Sequence, residues 1–274
     1  MKSSILLTAI ALLSCQQKES AKAFSETETV STTGQNIPFD NSSKVIHIMV
    51  ALCDNKYQGI VPVGAKIGNG QDPDNNLYWG CAYGIRSYFK KSAEWKFLES
   101  RKNKGQILER IIFKHVSKDA YLVTDAYDGQ YIKNTTADFL ASNAGSKKDV
   151  IEINGKTIGI NGNAQLLSYI GHDGLMEFDM DEDYNNIDGK SRNCIILACI
   201  SKRFFGRYIK NTKSRPLVWT TQLMAPEAYT VHDAISGFVL GETPQQIQQR
   251  AAKAYSKYQK CTLKAANGLL VTGF

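Results

Sequence analysis

The pattern of apolar segments predicts an α/β fold built on a largely parallel sheet. Three short apolar runs carry this reading: residues 45–52 (VIHIMVAL), 165–171 (QLLSYIG) and 193–199 (NCIILAC). Each has the length and the Val/Ile/Leu content of a strand buried on both faces. Segments of helical period lie between and after them, the alternation expected of parallel strands joined by helical crossovers. No shift in composition divides residues 44–274, so they read as one domain.

In chain order, the first strand is followed by a loop over residues 54–76, rich in Gly, Pro and Asn. Residues 77–91 then read as a helix with Leu77, Cys81, Ile85, Tyr88 and Phe89 on one face. Residues 111–115 and 121–124 read as strands, 136–143 as a short helix and 216–220 as a further strand. The last part is helical. Thr243 caps, Pro244 suits the first helical position, and Ile247, Ala251, Ala254, Tyr255 and Tyr258 recur at helical spacing.

The N-terminus carries an address. Lys2 gives a positive charge, residues 5–13 are apolar, and Leu12-Leu13-Ser14-Cys15 follows. Residues 1–15 read as a secretory signal, too short to span a bilayer. Its end resembles a bacterial lipobox, which implies lipidation of Cys15 and anchoring in the cell envelope. Residues 16–43 are polar and read as a flexible tether, with a reach of about 30 Å.

With Cys15 set aside, Cys53, Cys81, Cys194, Cys199 and Cys261 remain. Five is odd, so at least one thiol stays free even if the others pair, as exported cysteines normally do. There is no CxxC, HExxH, GxSxG or P-loop, and the four histidines are scattered, so no metal or other cofactor is expected. The formal charge of +7 is spread along the chain and does not by itself mean nucleic acid.

In open parallel sheets, sites form beyond the carboxyl ends of the strands. Two strand ends here carry chemistry: Gly171-His172-Asp173-Gly174 and Ala198-Cys199-Ile200-Ser201. If both strands are parallel and adjacent, His172 and Cys199 emerge on one edge. An imidazole beside a thiol supplies the base a cysteine nucleophile needs. The amides of Cys199 and Gly174 then face a developing oxyanion.

An apolar strand ending in His, followed by a second ending in Ala-Cys, resembles the caspase–gingipain–legumain group of cysteine peptidases. The resemblance implies a caspase-like α/β sandwich, His172 and Cys199 as a catalytic dyad, and a peptide or protein as substrate. One position departs. The family has glycine directly after the histidine, whereas here Asp173 intervenes before Gly174. The alternative is a non-catalytic envelope lipoprotein that binds a peptide or protein partner.

Three other features compete for attention. Cys81, at the start of the expected helix, is the nucleophile of a papain-like alternative, although its aromatic neighbours suggest a small core residue. The acids Glu177, Asp179, Asp181, Glu182, Asp183 and Asp188 suggest a solvated loop. Weak calcium binding over residues 179–188, or attraction of a basic substrate side chain, are the other readings. Lys202, Arg203, Arg207 and Lys210 alternate with Phe204, Phe205 and Tyr208, which fits an amphipathic surface helix better than a nucleic-acid site.

Overall fold

The computed structural model describes residues 38–274. The strands are β1 (Lys44–Ala51), β2 (Trp95–Lys102), β3 (Ile107–His115), β4 (Ala120–Tyr127), β5 (Lys148–Ile153), β6 (Lys156–Asn161), β7 (Leu166–Ile170), β8 (Asn193–Leu197), β9 (Arg215–Thr220) and β10 (Leu270–Val271). The helices are α1 (Ile85–Lys91), α2 (Ile132–Ala144), α3 (Ser201–Phe204), α4 (Gly206–Thr212), α5 (Ala228–Leu240), α6 (Pro244–Gln259) and α7 (Leu263–Leu269).

Eight strands form one sheet in the order β10-β9-β8-β7-β1-β4-β3-β2, while β5 and β6 form a separate hairpin. The central pairs β4/β1, β1/β7, β7/β8 and β8/β9 are parallel. The outer pairs β2/β3, β3/β4 and β9/β10 are antiparallel. The expected mixed α/β architecture with a mostly parallel central sheet is therefore present.

Layering explains why β1 reads as an unbroken apolar run. Ile46, Ile48 and Val50 point into a core shared with Phe89 of α1, Val231 and Ile235 of α5 and Ala251 of α6. Val45, Met49 and Ala51 point to the other face, against Phe139 and Leu140 of α2, Ile209 of α4 and Ile158 of β6. With both faces covered, the period of two is hidden.

One polar residue interrupts the run. His47 bonds Asp125 of β4 at 2.9 Å, and Asp125 takes a two-pronged contact from Arg110 of β3 at 2.6 and 2.7 Å. Burial disfavours the Asp125 charge, but Arg110 and His47 outweigh burial and hold its carboxyl well below the usual range. The other ring nitrogen, Nδ1, accepts the Asn161 N–H at 3.1 Å, so every polar valence of this histidine is used.

The structure corrects several local expectations. The helix expected over residues 77–91 is confined to Ile85–Lys91. Asn76 competes for the backbone before it: its carbonyl accepts the N–H groups of Trp79, Gly80 and Cys81. Its side-chain Oδ1 accepts those of Cys53 and Tyr78, so residues 77–84 form turns instead. The edge strand β2 was not expected, because Lys96, Glu99 and Arg101 give it the charged character that protects sheet edges. The β5–β6 hairpin turns at Asn154-Gly155, both at positive φ, a hairpin signal present in the sequence but unused.

The fold also starts earlier than Lys44. Asp40 bridges to Ile158, accepts from Ser42 and Ser43, and pairs with Lys156. Cys15 and the signal segment lie outside the described residues.

Candidate active site

Strands β7 and β8 are adjacent and parallel, with Ile170 registered against Leu197. His172 and Cys199 each stand two residues beyond the last paired residue of these strands. Both leave the carboxyl edge of the sheet. Gly171 makes the exit possible: its φ is 144°, and a Cβ there would lie 2.6 Å from the Ala51 carbonyl oxygen.

His172 is buried and its ring is held. Nε2 lies 2.5 Å from Glu177 Oε1, and the same oxygen accepts the Gly59 N–H at 2.8 Å. The carboxylate therefore accepts a hydrogen bond from Nε2–H and leaves the Nδ1 lone pair free. Nδ1 makes no hydrogen bond among the described residues. The Tyr169 hydroxyl donates to the His172 carbonyl at 2.8 Å and steadies the backbone.

Cys199 stands on a sharp strand-to-helix turn between β8 and α3. The next residue, Ile200, has φ 52° and ψ 30°. For a β-branched residue this left-handed conformation is strained, costing on the order of 1–3 kcal/mol. A buried network holds it in place. Ser201 Oγ donates to the Ile196 carbonyl at 2.9 Å, and the Thr220 hydroxyl donates to the Ala198 carbonyl. Thr220 Oγ1 also accepts the Ser201 N–H at 3.0 Å.

The thiol itself is engaged elsewhere. Sγ accepts the Met224 N–H at 3.4 Å and donates to the Met224 carbonyl at 3.6 Å, in the strap over residues 221–227. Burial pushes the thiol up, the Met224 N–H works against this, and the charge of Asp173 adds to the rise. No hydrogen bond joins Cys199 to His172 among the described residues. A thiol in this setting needs a base to become a nucleophile.

Asp173, the residue where the family resemblance fails, is fully buried. Its Oδ1 caps the short 3-10 turn Gly174–Met176 by accepting the Leu175 N–H at 3.1 Å, while Oδ2 has no partner among the described residues. Burial lifts the carboxyl to about 7, opposed by the Leu175 N–H and reinforced by Glu177. No hydrogen bond from the Gly174 N–H is found among the described residues. The Cys199 N–H is likewise unbonded among the described residues.

The remaining expectations sort by position. Cys81 lies ahead of α1 rather than inside a helix; it is half-buried, and its Sγ donates to the Asn75 carbonyl at 3.2 Å. Burial and Glu227 push its thiol up, with Lys66 opposing, the same direction as at Cys199. All five described cysteines are free, so the expected pairing is not found among the described residues.

The acidic loop is largely neutralised: Asp179 pairs with Arg207, Asp181 with Lys133, and Asp188 with Arg192 and Lys148. Among the described residues no three His, Cys, Asp or Glu side chains are grouped to hold a metal. The expected surface helix is split into α3 and α4, with Tyr208 and Ile209 buried.

A cavity of about 550 Å³ lies at the opposite edge, between Lys44, Arg215, Leu217 and Phe238. We rank the carboxyl edge above it because chemistry, not volume, defines a reactive site. Sequence reading missed Glu177 as the partner of His172, since it stood at the head of an acidic run. It also missed Met224, whose role is carried by backbone atoms.

Compared with known proteins, the chain matches no family model, no curated protein and no solved structure.

Proposed function

We propose that this chain is an exported, lipid-anchored cysteine endopeptidase of the caspase–gingipain–legumain type, acting on peptides or proteins. One observation carries the reading: His172 and Cys199 lie at the same register offset past two adjacent parallel strands. His172 Nδ1 takes the thiol proton, and Sγ adds to the peptide carbonyl to form a carbon–sulfur bond. The unbonded N–H groups of Gly174 and Cys199 receive the oxyanion. The proton passes to the leaving amine as the carbon–nitrogen bond breaks. Water then hydrolyses the thioester and restores the thiol. Glu177 positions the imidazole and stabilises its charged form, as the acid of a catalytic triad does.

A second reading is a non-catalytic envelope lipoprotein that binds a peptide or protein in the same cleft. It is favoured by the Met224 backbone, which occupies both hydrogen-bonding capacities of the thiol.

Brief sub-stoichiometric iodoacetamide labelling at mildly acidic pH, mapped by mass spectrometry, separates the two. The peptidase reading expects Cys199 to label ahead of Cys81 and Cys261, and His172→Ala to abolish that lead. Labelling of Cys81 first would move the nucleophile to the turn before α1. Equal labelling of the accessible thiols would favour the binding protein.

A further inference from the structure

We propose that Ser92, His232 and Asp233 form a second reactive site, a serine triad that hydrolyses carboxylic esters. It lies on the face of the sheet covered by α1 and α5 and does not depend on the reading of Cys199. Ser92 caps the C-terminal end of α1, and His232 and Asp233 are consecutive in α5. Packing of the two helices thus joins a hydroxyl and an imidazole 140 positions apart.

The hydrogen bonds fix where each proton stands. Asp233 Oδ1 lies 2.9 Å from His232 Nδ1, and a carboxylate only accepts, so Nδ1 carries the proton. In the neutral ring Nε2 is then a bare lone pair. Ser92 Oγ lies 2.8 Å from Nε2 and already accepts the Glu94 N–H at 3.1 Å. Its own O–H is therefore the donor to Nε2. This is the order of nucleophile, base and carboxylate that activates a serine. His47 differs, since its two partners are a carboxylate and a backbone N–H. At His232 the hydroxyl proton moves to the base along its own hydrogen bond.

The imidazole is held while the serine stays reachable. His232 is 9% exposed, with the Phe89 ring at 5.2 Å and the Tyr88 ring at 5.3 Å. Ser92 is half-buried, and Ala93 beside it is exposed. Glu94 Oε2, 4.0 Å from Nε2, favours the imidazolium that forms when the proton moves. The Ala93 N–H, on the residue after the nucleophile, makes no hydrogen bond among the described residues and is the donor left for an oxyanion. A single oxyanion donor points to an ester rather than an amide, because an ester carbonyl is the more readily attacked.

In the reaction His232 Nε2 takes the Ser92 proton as Oγ bonds to the ester carbonyl carbon. The bond to the alkoxy oxygen breaks, and the alcohol leaves with that proton. Water then gives a proton to Nε2 and adds to the acyl carbon. The acid departs as Oγ regains the proton.

A fluorophosphonate probe, applied to the full chain above neutral pH and mapped by mass spectrometry, tests the site. Such probes phosphonylate activated serines and spare ordinary hydroxyls. The adduct is expected on Ser92, and His232→Gln should slow its formation by about 10²-fold. No Ser92 adduct on the folded parent, or one that forms equally fast in His232→Gln, would overturn the proposal. Hydrolysis of p-nitrophenyl acetate is then followed in chains carrying Cys199→Ala, which removes the candidate thiol nucleophile. Adding Ser92→Ala should abolish saturable turnover, and adding Asp233→Asn should lower kcat by at least about tenfold with KM unchanged. Asp233 is partly exposed, so this variant tests the positioning of His232 without opening the core. Turnover that survives Ser92→Ala, or a kcat unmoved by Asp233→Asn, would overturn the triad and leave the reading of Cys199 untouched.

Discussion

Two histidine–carboxylate pairs in this molecule use the same chemistry for opposite ends. His47 and Asp125 lie in the middle of the sheet, 2.9 Å apart, both wholly buried. Arg110 fills the other side of Asp125, and the Asn161 N–H fills the other nitrogen of His47. His172 and Glu177 lie 2.5 Å apart at the carboxyl edge, where Glu177 is partly exposed and His172 Nδ1 has no hydrogen-bond partner among the described residues. A closed set of valences locks strands together. An open one leaves a lone pair for a proton. What separates a structural pair from a reactive one is the unused valence, not the pair itself.

The contrast breaks if the two pairs respond alike to mutation. His172→Ala should slow alkylation of Cys199 by about 10²-fold or more while leaving the melting temperature within a degree or so of the parent. Asp125→Ala should do the reverse. It strands the Arg110 charge in the core and should cost about 3–5 kcal/mol, read from denaturant unfolding, with little effect on Cys199 chemistry in the folded fraction. If His172→Ala unfolds the chain, the edge pair is structural after all.

Asp173 sharpens the comparison, because it is a buried acid without a cation. Its folded value near 7 exceeds the ordinary 3.8, so the folded chain holds a proton that the unfolded chain has released. Stability from this group is therefore present at low pH and lost as pH rises from about 4 to 7. Asp173→Asn keeps the cap and removes the charge. It should stabilise the protein by on the order of 3 kcal/mol above neutrality and by nothing near pH 4, measured as unfolding free energy against pH. A pH-independent effect would mean that the carboxyl titrates in the fold as it does in the unfolded chain.

The smallest effect concerns Glu177. Glu177→Gln still accepts a hydrogen bond from Nε2–H but no longer stabilises an imidazolium. Cys199 reactivity should fall by about tenfold, which is about 1.4 kcal/mol, and stability should hardly change. A stability loss comparable to that of Asp125→Ala would erase the distinction between the two pairs.

Much of this arrangement was legible in the chain. Strands β1, β7 and β8 were visible because burial on both faces demands an unbroken apolar run. The ends of β7 and β8 could be singled out because His and Cys stood immediately after such runs. Helix α6 announced itself by Thr243 as a cap and by Pro244 at the first helical position, and the structure adds the reciprocal bond from Gln246. Other parts were hidden for identifiable reasons. Strand β2 has a polar, charged sequence because it closes an edge. The turns before α1 follow from the side chain of Asn76, whose partners include Cys53, 23 positions away. Met224 was invisible because it acts through its N–H and carbonyl, which every residue has.

The sequence by itself determined the α/β class, the strands at the centre of the sheet and the residue types at their ends. These follow from periodicity and burial, which are local properties of the chain. Only the tertiary structure decided that β7 and β8 are neighbours in register, that Glu177 turns back onto His172, and that the strap after β9 grips the thiol. It also decided which of two similar histidine pairs is saturated. Hydrogen-bond partners are allotted by packing across 78 positions for His47 and Asp125, and by a five-residue turn for His172 and Glu177. No local pattern encodes which of the two keeps a nitrogen free.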